Sequence, residues 1–347
     1  YLFNGAGLIE GFTPAHTDHP GTPLQMLCGV VSYVAWRLVR GDLPFSAAVF
    51  ADPEFFLKII SLVLLSLNAA ALFCLGWRVR AASRSLPVAL LAQSGLLLLG
   101  PLMPRMFYVA PEALLLTAAS LAMALLAPVL FAQARALDWR RAALLGAVLA
   151  LGVTTKVTFL PLLALVLLLP SIREIAIAVI ALLGTGALLL SPIFSELGRV
   201  YDWLSGILFH EGRYGFGEEG IVDWSKVPGH AWQLLQAEPL LAVAALACLA
   251  VVVRRGLIGR SGFVACVFAA ILAIQVAMVL KHFELYYALA SFAIAAIILA
   301  WSVSVAFGRR AAIVLVALAL VAGSLQSAVY ARGLSARAET RAEQLGR

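Results

Sequence analysis

From residue 55 to residue 331 the chain is a succession of apolar, charge-poor runs separated by short loops that carry arginine. Several runs reach the roughly 20 residues that a helix needs to cross a bilayer. This pattern leaves little choice of fold. Charged residues make up only 12% of the 347 and hydrophobic ones 63%, whereas a soluble domain has about 25% charged residues. We therefore read an all-α, polytopic integral membrane protein with about ten transmembrane helices, a re-entrant or interfacial helix and one larger outer loop. The net charge of +7 comes from arginines in loops and does not point to nucleic acid. Cys28, Cys74, Cys248 and Cys266 all lie in apolar runs without CxxC spacing, which fits packing better than disulfides or zinc.

The charge-poor segments are 22–36, 55–77, 86–104, 106–134, 142–155, 157–172, 175–195, 239–253, 261–280, 285–308 and 311–331. Basic residues gather at Arg78/Arg80/Arg84, Arg135/Arg140/Arg141, Arg173, Arg254/Arg255/Arg260 and Arg309/Arg310, which marks those loops as cytoplasmic. Strict alternation then puts 105–112, Lys156, 193–238 and 281–284 outside. Acidic residues outnumber Arg199, Arg213 and Lys226 in the 193–238 loop, in keeping with that side. Segments 142–155 and 157–172 are short for full spans and read as tilted or broken helices meeting at Lys156. The alternative, one long helix with a buried lysine, would place the later arginine-rich loops outside. Segment 22–36 reads as a re-entrant or in-plane helix with Trp36 and Arg37 at the interface; a plain span is the alternative. One membrane domain thus covers 1–331, with 1–54 as a first outer loop, 193–238 as the larger outer loop, and 332–347 as a basic tail. No repeat at solenoid period and no inverted duplication is visible.

Ionisable groups at the edge of the hydrocarbon are costly, so each asks for a reason. Apart from arginines, they collect on the outer side. They are His16, Asp18 and His19 in the segment Pro14-Ala-His-Thr-Asp-His-Pro-Gly-Thr-Pro-Leu-Gln25, then Glu112, Lys156, Lys281, His282 and Glu284; Arg105 joins them. One-sided clustering is the pattern of a site at the outer membrane face. Each has a plainer reading: a turn at Pro20-Gly21 for the histidines, a helix N-terminus for Glu112, snorkelling for Lys156, and an interfacial belt around Tyr286 and Tyr287. In the outer loop, Arg213 and Tyr214 lie between Gly212, Gly215 and Gly217 and suit contact with a sugar or acceptor. Asp202-Trp203 and Asp223-Trp224 suit sugar stacking, or an interface. No HExxH or Ser-His-Asp layout stands out, and although the His/Asp/Glu set has the chemistry for a divalent metal, no spacing compels one.

Thr17-Asp18-His19-Pro20-Gly21-Thr22-Pro23-Leu24, following an amphipathic N-terminal segment, resembles the His-Pro-Pro-Leu or Lys-Pro-Pro-Leu element in the first outer loop of GT-C glycosyltransferases such as protein O-mannosyltransferases and the lipid A aminoarabinose transferase. Pro111-Glu112 is similar to their second acidic position, and Thr154-Thr155-Lys156-Val157-Thr158 to their Thr-Lys stretch. The resemblance covers about the first 170 residues by motif and the remainder by layout. It implies transfer of a sugar from a polyprenyl-phosphate carrier to a lipid, glycan or protein at the periplasmic face of a bacterial inner membrane, with inversion. Asp18 and Glu112 are then the catalytic carboxylates. His16, His19, Arg105, Lys156, Lys281 and His282 bind the carrier phosphate. One departure stands out: the family's acidic pair ahead of the amphipathic helix has no match in Glu10 or Asp18. We expect that pair to lie upstream of Tyr1, so that this stretch lacks its base; the alternative gives the role to Asp18. The rival function is a transporter or flippase of a lipid-linked glycan.

Overall fold

The computed structural model describes residues 1–17, 20–39, 41–98, 105–212, 217–308 and 310–325, with 328 and 332. Among these residues the protein is helical, and the only β pairing is an isolated bridge between His210 and Glu219. The α-helices are α1 (Leu2–Ile9), α2 (Thr22–Val39), α3 (Phe45–Ala51), α4 (Pro53–Ser83), α5 (Leu86–Gln93), α6 (Pro111–Phe131), α7 (Trp139–Thr155), α8 (Ile172–Leu190), α9 (Leu197–Phe209), α10 (Val227–Ala237), α11 (Pro239–Arg255), α12 (Arg260–Lys281), α13 (Leu289–Ser302) and α14 (Arg310–Leu325).

Five helical stretches are long and apolar enough to cross a membrane: α4, α6, Ile172–Phe209 (which runs from α8 into α9), α12 and Leu285–Phe307 (which contains α13). A sixth forms if α10 and α11 count together, although the chain bends by 91° between them. The protein is thus a multi-pass helical membrane protein. Its burial pattern is that of a bundle in an apolar solvent. Every residue of α13 and nearly every residue of α6 is buried, so these two form the centre. By contrast, α4 exposes Leu62, Phe73 and Trp77, and α8 exposes Ile180, Leu183 and Leu188. Water would penalise such surfaces; lipid does not.

Several expected spans take a different form. Segment 86–104 begins as α5 but turns into a 3-10 helix over Ser94–Leu98. Segment 142–155 is α7, of 17 residues, and 157–172 is largely a 3-10 helix of 12 residues, Val157–Leu168. At ~1.5 and ~2 Å per residue, each covers about 25 Å, a little less than the ~30 Å hydrocarbon core. The break between them falls on Lys156, whose backbone is extended (φ −162°, ψ 136°), as the two-helix reading expects. Segment 22–36 lies within the continuous helix α2, where the Arg37 guanidinium stacks over Trp36 and Tyr33 at 5.4 and 5.8 Å. The tail from 333 onward lies outside the described residues.

Glycine sets two close helix crossings. A side chain at Gly5 of α1 would meet the Gln25 carbonyl and the Gly29 amide of α2, and one at Gly146 of α7 would meet the Ala178 carbonyl of α8. At one end of the bundle, arginines cap helix C-termini. Arg254 donates to Ala306 O at 2.9 Å, Arg255 donates to Val305 O, and Arg260 donates to Leu168 O at 2.7 Å. A guanidinium there satisfies carbonyls that the helix leaves free and opposes the negative end of its dipole. Near that end Glu174 completes a capping box with Ser171 and accepts from Leu137 N at 2.7 Å. The arginine-rich loops of the second half thus meet at one end, and Glu112 and Lys156 lie at the other.

A buried candidate site at one end of the bundle

Glu112 is the second residue of α6, after Pro111. An acid there ordinarily faces water and favours the helix dipole. Here its residue is only 2% exposed, and Glu112 Oε1 accepts from Lys156 Nζ at 2.7 Å. Lys156 is 4% exposed, because the extended residue between α7 and the following 3-10 helix turns its side chain inward. Two tyrosines enclose the ammonium: Nζ lies 4.8 Å from the ring centroids of both Tyr286 and Tyr287. Arg105 lies over Tyr286 as well, at 4.7 Å. One phenol ring therefore serves two cations, each attracted to its negative face. Arg105 and Glu284 are close enough to act electrostatically on Lys156. Two cations and two carboxylates thus lie close together beside two aromatic rings.

Two buried amides hold this arrangement in place, and neither was singled out from the sequence. Asn68 of α4 is 1% exposed; its Nδ2 donates to Met106 O at 2.8 Å and Ala113 O at 3.1 Å, and its Oδ1 accepts from Thr117 at 3.1 Å. It ties the segment that runs from Arg105 to Glu112 down onto α4. Gln275 of α12 is fully buried, donates to Tyr287 O at 2.8 Å and accepts from Ser291 at 3.0 Å. It fixes the 3-10 turn Leu285–Ala288 that presents both tyrosines. The signal was available: a lone amide in an apolar span must be hydrogen-bonded by something.

The chain matches no family model, and no curated protein or solved structure matches it either.

The first outer segment packs on the same end. Gly21 N donates to Thr154 O at 3.1 Å, two residues before Lys156, and Gln25 Nε2 donates to His16 O at 2.7 Å. The His16 ring meets Tyr1 edge-on at 5.7 Å. Asp18 and His19 lie outside the described residues. So do Arg213 and Tyr214; in the same loop Glu211 N donates to Glu218 O and Gly220 N to Phe209 O.

Lys281 and His282 have a different environment. Lys281 Nζ donates to Leu208 O at 2.7 Å and Ile221 O at 2.6 Å, and the His282 ring nitrogen Nε2 lies 3.2 Å from Ile207 O. His230 of α10 stacks on Phe283 at 4.8 Å. These contacts pin the outer loop to the end of α12. Burial, helped by the Lys281 charge, holds the His282 imidazole below its ordinary pKa of 6.5. In the same loop Asp223 pairs with Lys226 at 2.7 Å and accepts from Ser225, which lowers its carboxyl to about 2. Trp224 beside it is exposed. No group of three His, Cys, Asp or Glu among the described residues is placed to hold a metal ion.

Proposed function

We propose that the protein is a GT-C-type glycosyltransferase with about ten membrane crossings, acting at the periplasmic face of a bacterial inner membrane on a polyprenyl-phosphate sugar. The observation that carries this reading is the buried Glu112–Lys156 pair walled by Tyr286, Tyr287 and Arg105. It combines, where water is scarce, a carboxylate for the acceptor's proton and cations for a leaving phosphate. The acceptor hydroxyl attacks the anomeric carbon, and its proton passes to Glu112 or to Asp18. The carbon–oxygen bond to the carrier phosphate breaks on the opposite face. The charge that grows on that phosphate is met by Lys156, Arg105 and His19. A carboxylate held by an ammonium is a weak base, so the phosphate has a second role: by drawing Lys156 away, it raises the basicity of Glu112. Lys281 and His282 hold the outer loop against the end of α12, and Arg213 and Tyr214 are assigned to the acceptor side.

One observation favours a second reading, transport of a lipid-linked glycan. Lys156 sits at a break between helical segments, and broken helices with buried charge are typical of transporters. A single experiment separates the two. Cells with the parent gene deleted are compared with cells restored by wild type or Glu112→Gln, and lipid-linked sugars and surface glycans are measured by mass spectrometry. Transfer predicts a polyprenyl-phosphate sugar accumulating on the outer leaflet, loss of one glycan decoration, and no rescue by Glu112→Gln. Accumulation on the inner leaflet would replace the transferase with the transporter. Full rescue by Glu112→Gln would remove Glu112 from the chemistry.

A further inference from the structure

The chain turns by 91° between α10 and α11. α11 packs along α12 and α13, which belong to crossing stretches. It therefore follows the membrane normal to within the ~20° tilt usual for such helices. Perpendicular to it, α10 adds no length to a crossing and runs close to the membrane plane. Its depth is fixed by α12. His230 Nδ1 of α10 donates to Leu280 O at 3.0 Å, in the last turn of α12, and the His230 ring stacks on Phe283 just beyond that turn at 4.8 Å. At ~1.5 Å per residue the 22 residues of α12 span about 33 Å, close to the ~30 Å of a hydrocarbon core. The end of α12, and α10 with it, therefore stands at the boundary between acyl chains and headgroups.

α10 has three sides. Val227, His230 and Leu234 form the one turned to the protein: Leu234 is buried, and Val227 and His230 are half-buried. At ~100° per residue, Pro228, Ala231, Trp232 and Leu235 form a second side roughly a third of a turn away. All four are exposed, Trp232 by 60% and Leu235 by 45%. Gly229, Gln233 and Gln236 form the third side and are exposed as well. A helix surrounded by water has no use for the apolar second side, and one inside the hydrocarbon has no use for the glutamines. A helix at the rim of the bundle, with protein, lipid and water around it, uses all three. Tryptophan is enriched at this depth because its ring is apolar and its indole N–H polar. Trp224, just ahead of α10, is exposed too. No lysine, arginine, aspartate or glutamate lies within Val227–Ala237.

We propose that α10 is an in-plane helix that docks the 197–238 segment on the lipid surface, with Trp232 and Leu235 at the headgroup–acyl boundary and Gln233 and Gln236 facing water. The attraction comes from burial of apolar surface and not from charge, so a zwitterionic bilayer suffices. Lys281 ties the same segment to α12 through Leu208 O and Ile221 O, and α10 ties it to the bilayer. The inference does not rest on the glycosyltransferase reading.

The test uses the full chain in phosphatidylcholine nanodiscs whose acyl chains are brominated either near the headgroup or near the chain end. The Trp232 signal is the difference in fluorescence between wild type and Trp232→Phe. The shallow bromines are expected to quench it about threefold more than the deep ones, as shallow burial requires. Photo-crosslinking gives a readout independent of that variant. With p-benzoylphenylalanine in place of Trp232 or Leu235, mass spectrometry is expected to find phosphatidylcholine adducts; in place of Gln233 or Gln236, none. Phosphatidylglycerol added to the nanodiscs is expected to leave the adduct yield unchanged. Stronger quenching by the deep bromines, or lipid adducts from all four positions alike, would overturn the proposal and make α10 half of a broken span. Absence of both quenching and adducts would overturn it in the other direction, with α10 standing in water. A yield that rises steeply with phosphatidylglycerol would replace apolar burial with charge as the attraction.

Discussion

Lys156 and Glu112 are 44 residues apart in sequence, yet their ammonium and carboxylate meet at 2.7 Å, both out of reach of solvent. Each charge is tolerable only because the other is there. Removing one partner of such a pair costs about 3–5 kcal/mol, while replacing both is far milder. Lys156→Met is therefore expected to destabilise the protein by about that amount, and Glu112→Gln together with Lys156→Met by much less than the sum. Unfolding of the purified variants in detergent measures this coupling. Strict additivity would mean that the pair does not form.

Tyr286 faces both Lys156 and Arg105. Each cation–ring contact is worth roughly 0.5–2 kcal/mol depending on desolvation. Tyr286→Phe keeps the ring and should resemble wild type in stability, whereas Tyr286→Leu should lose about 1–4 kcal/mol. Thermal unfolding of the two variants side by side decides it, and identical behaviour would leave the ring without an electrostatic role.

Gln275 holds the turn that carries Tyr287. Gln275→Leu keeps much of the volume but strands the Tyr287 carbonyl, which should cost about 1–3 kcal/mol. If the proposed function holds, sugar transfer in membranes should fall with it while the amount of inserted protein stays near normal. Unchanged transfer would show that the turn stands without its amide.

Gly146 faces the Ala178 carbonyl across the α7–α8 crossing. Gly146→Val should force the helices apart at a cost of about 1–3 kcal/mol or more. Since α7 ends at Thr155, next to Lys156, the disturbance should reach the buried pair. A lower melting temperature is the expected result, with lower transfer if the proposed function holds; a wild-type melting curve would contradict the close crossing.

His282 lies just beyond the end of α12 and titrates below 6.5 because burial disfavours its charged form, with a smaller contribution from Lys281. The unfolded chain binds this proton more readily than the folded one. The stability it contributes is therefore complete above about pH 6.5 and is lost as pH falls towards the lower folded value. His282→Asn should flatten the decline in melting temperature between neutral and mildly acid pH. A decline as steep as that of wild type would assign it to other groups.

Much of the outline was legible in residue types. Apolar runs mark the helices α4, α6, α8, α12 and α13, and Lys156 marks a helix break. The arginine loops gave the grouping of helix ends, because a guanidinium caps carbonyls wherever helices finish together. Less legible were the conformations of borderline runs. Val157–Leu168 is as apolar as any span but winds as a 3-10 helix, with Pro161 inside it, packed against α7 and α12.

Hydropathy is a sum over single residues, so the sequence by itself determined that the chain belongs in a bilayer and which polar groups are expensive there. It named Glu112, Lys156 and Arg105 because their cost is local. What pairs with what is a property of distance between segments far apart in the chain. Only the tertiary structure decided that Lys156 answers Glu112, that Tyr286 and Tyr287 enclose it, that Asn68 and Gln275 hold both sides, and that Lys281 serves the outer loop. The physical reason is that a buried charge or amide fixes a requirement for a partner but not the partner's address, which helix packing supplies.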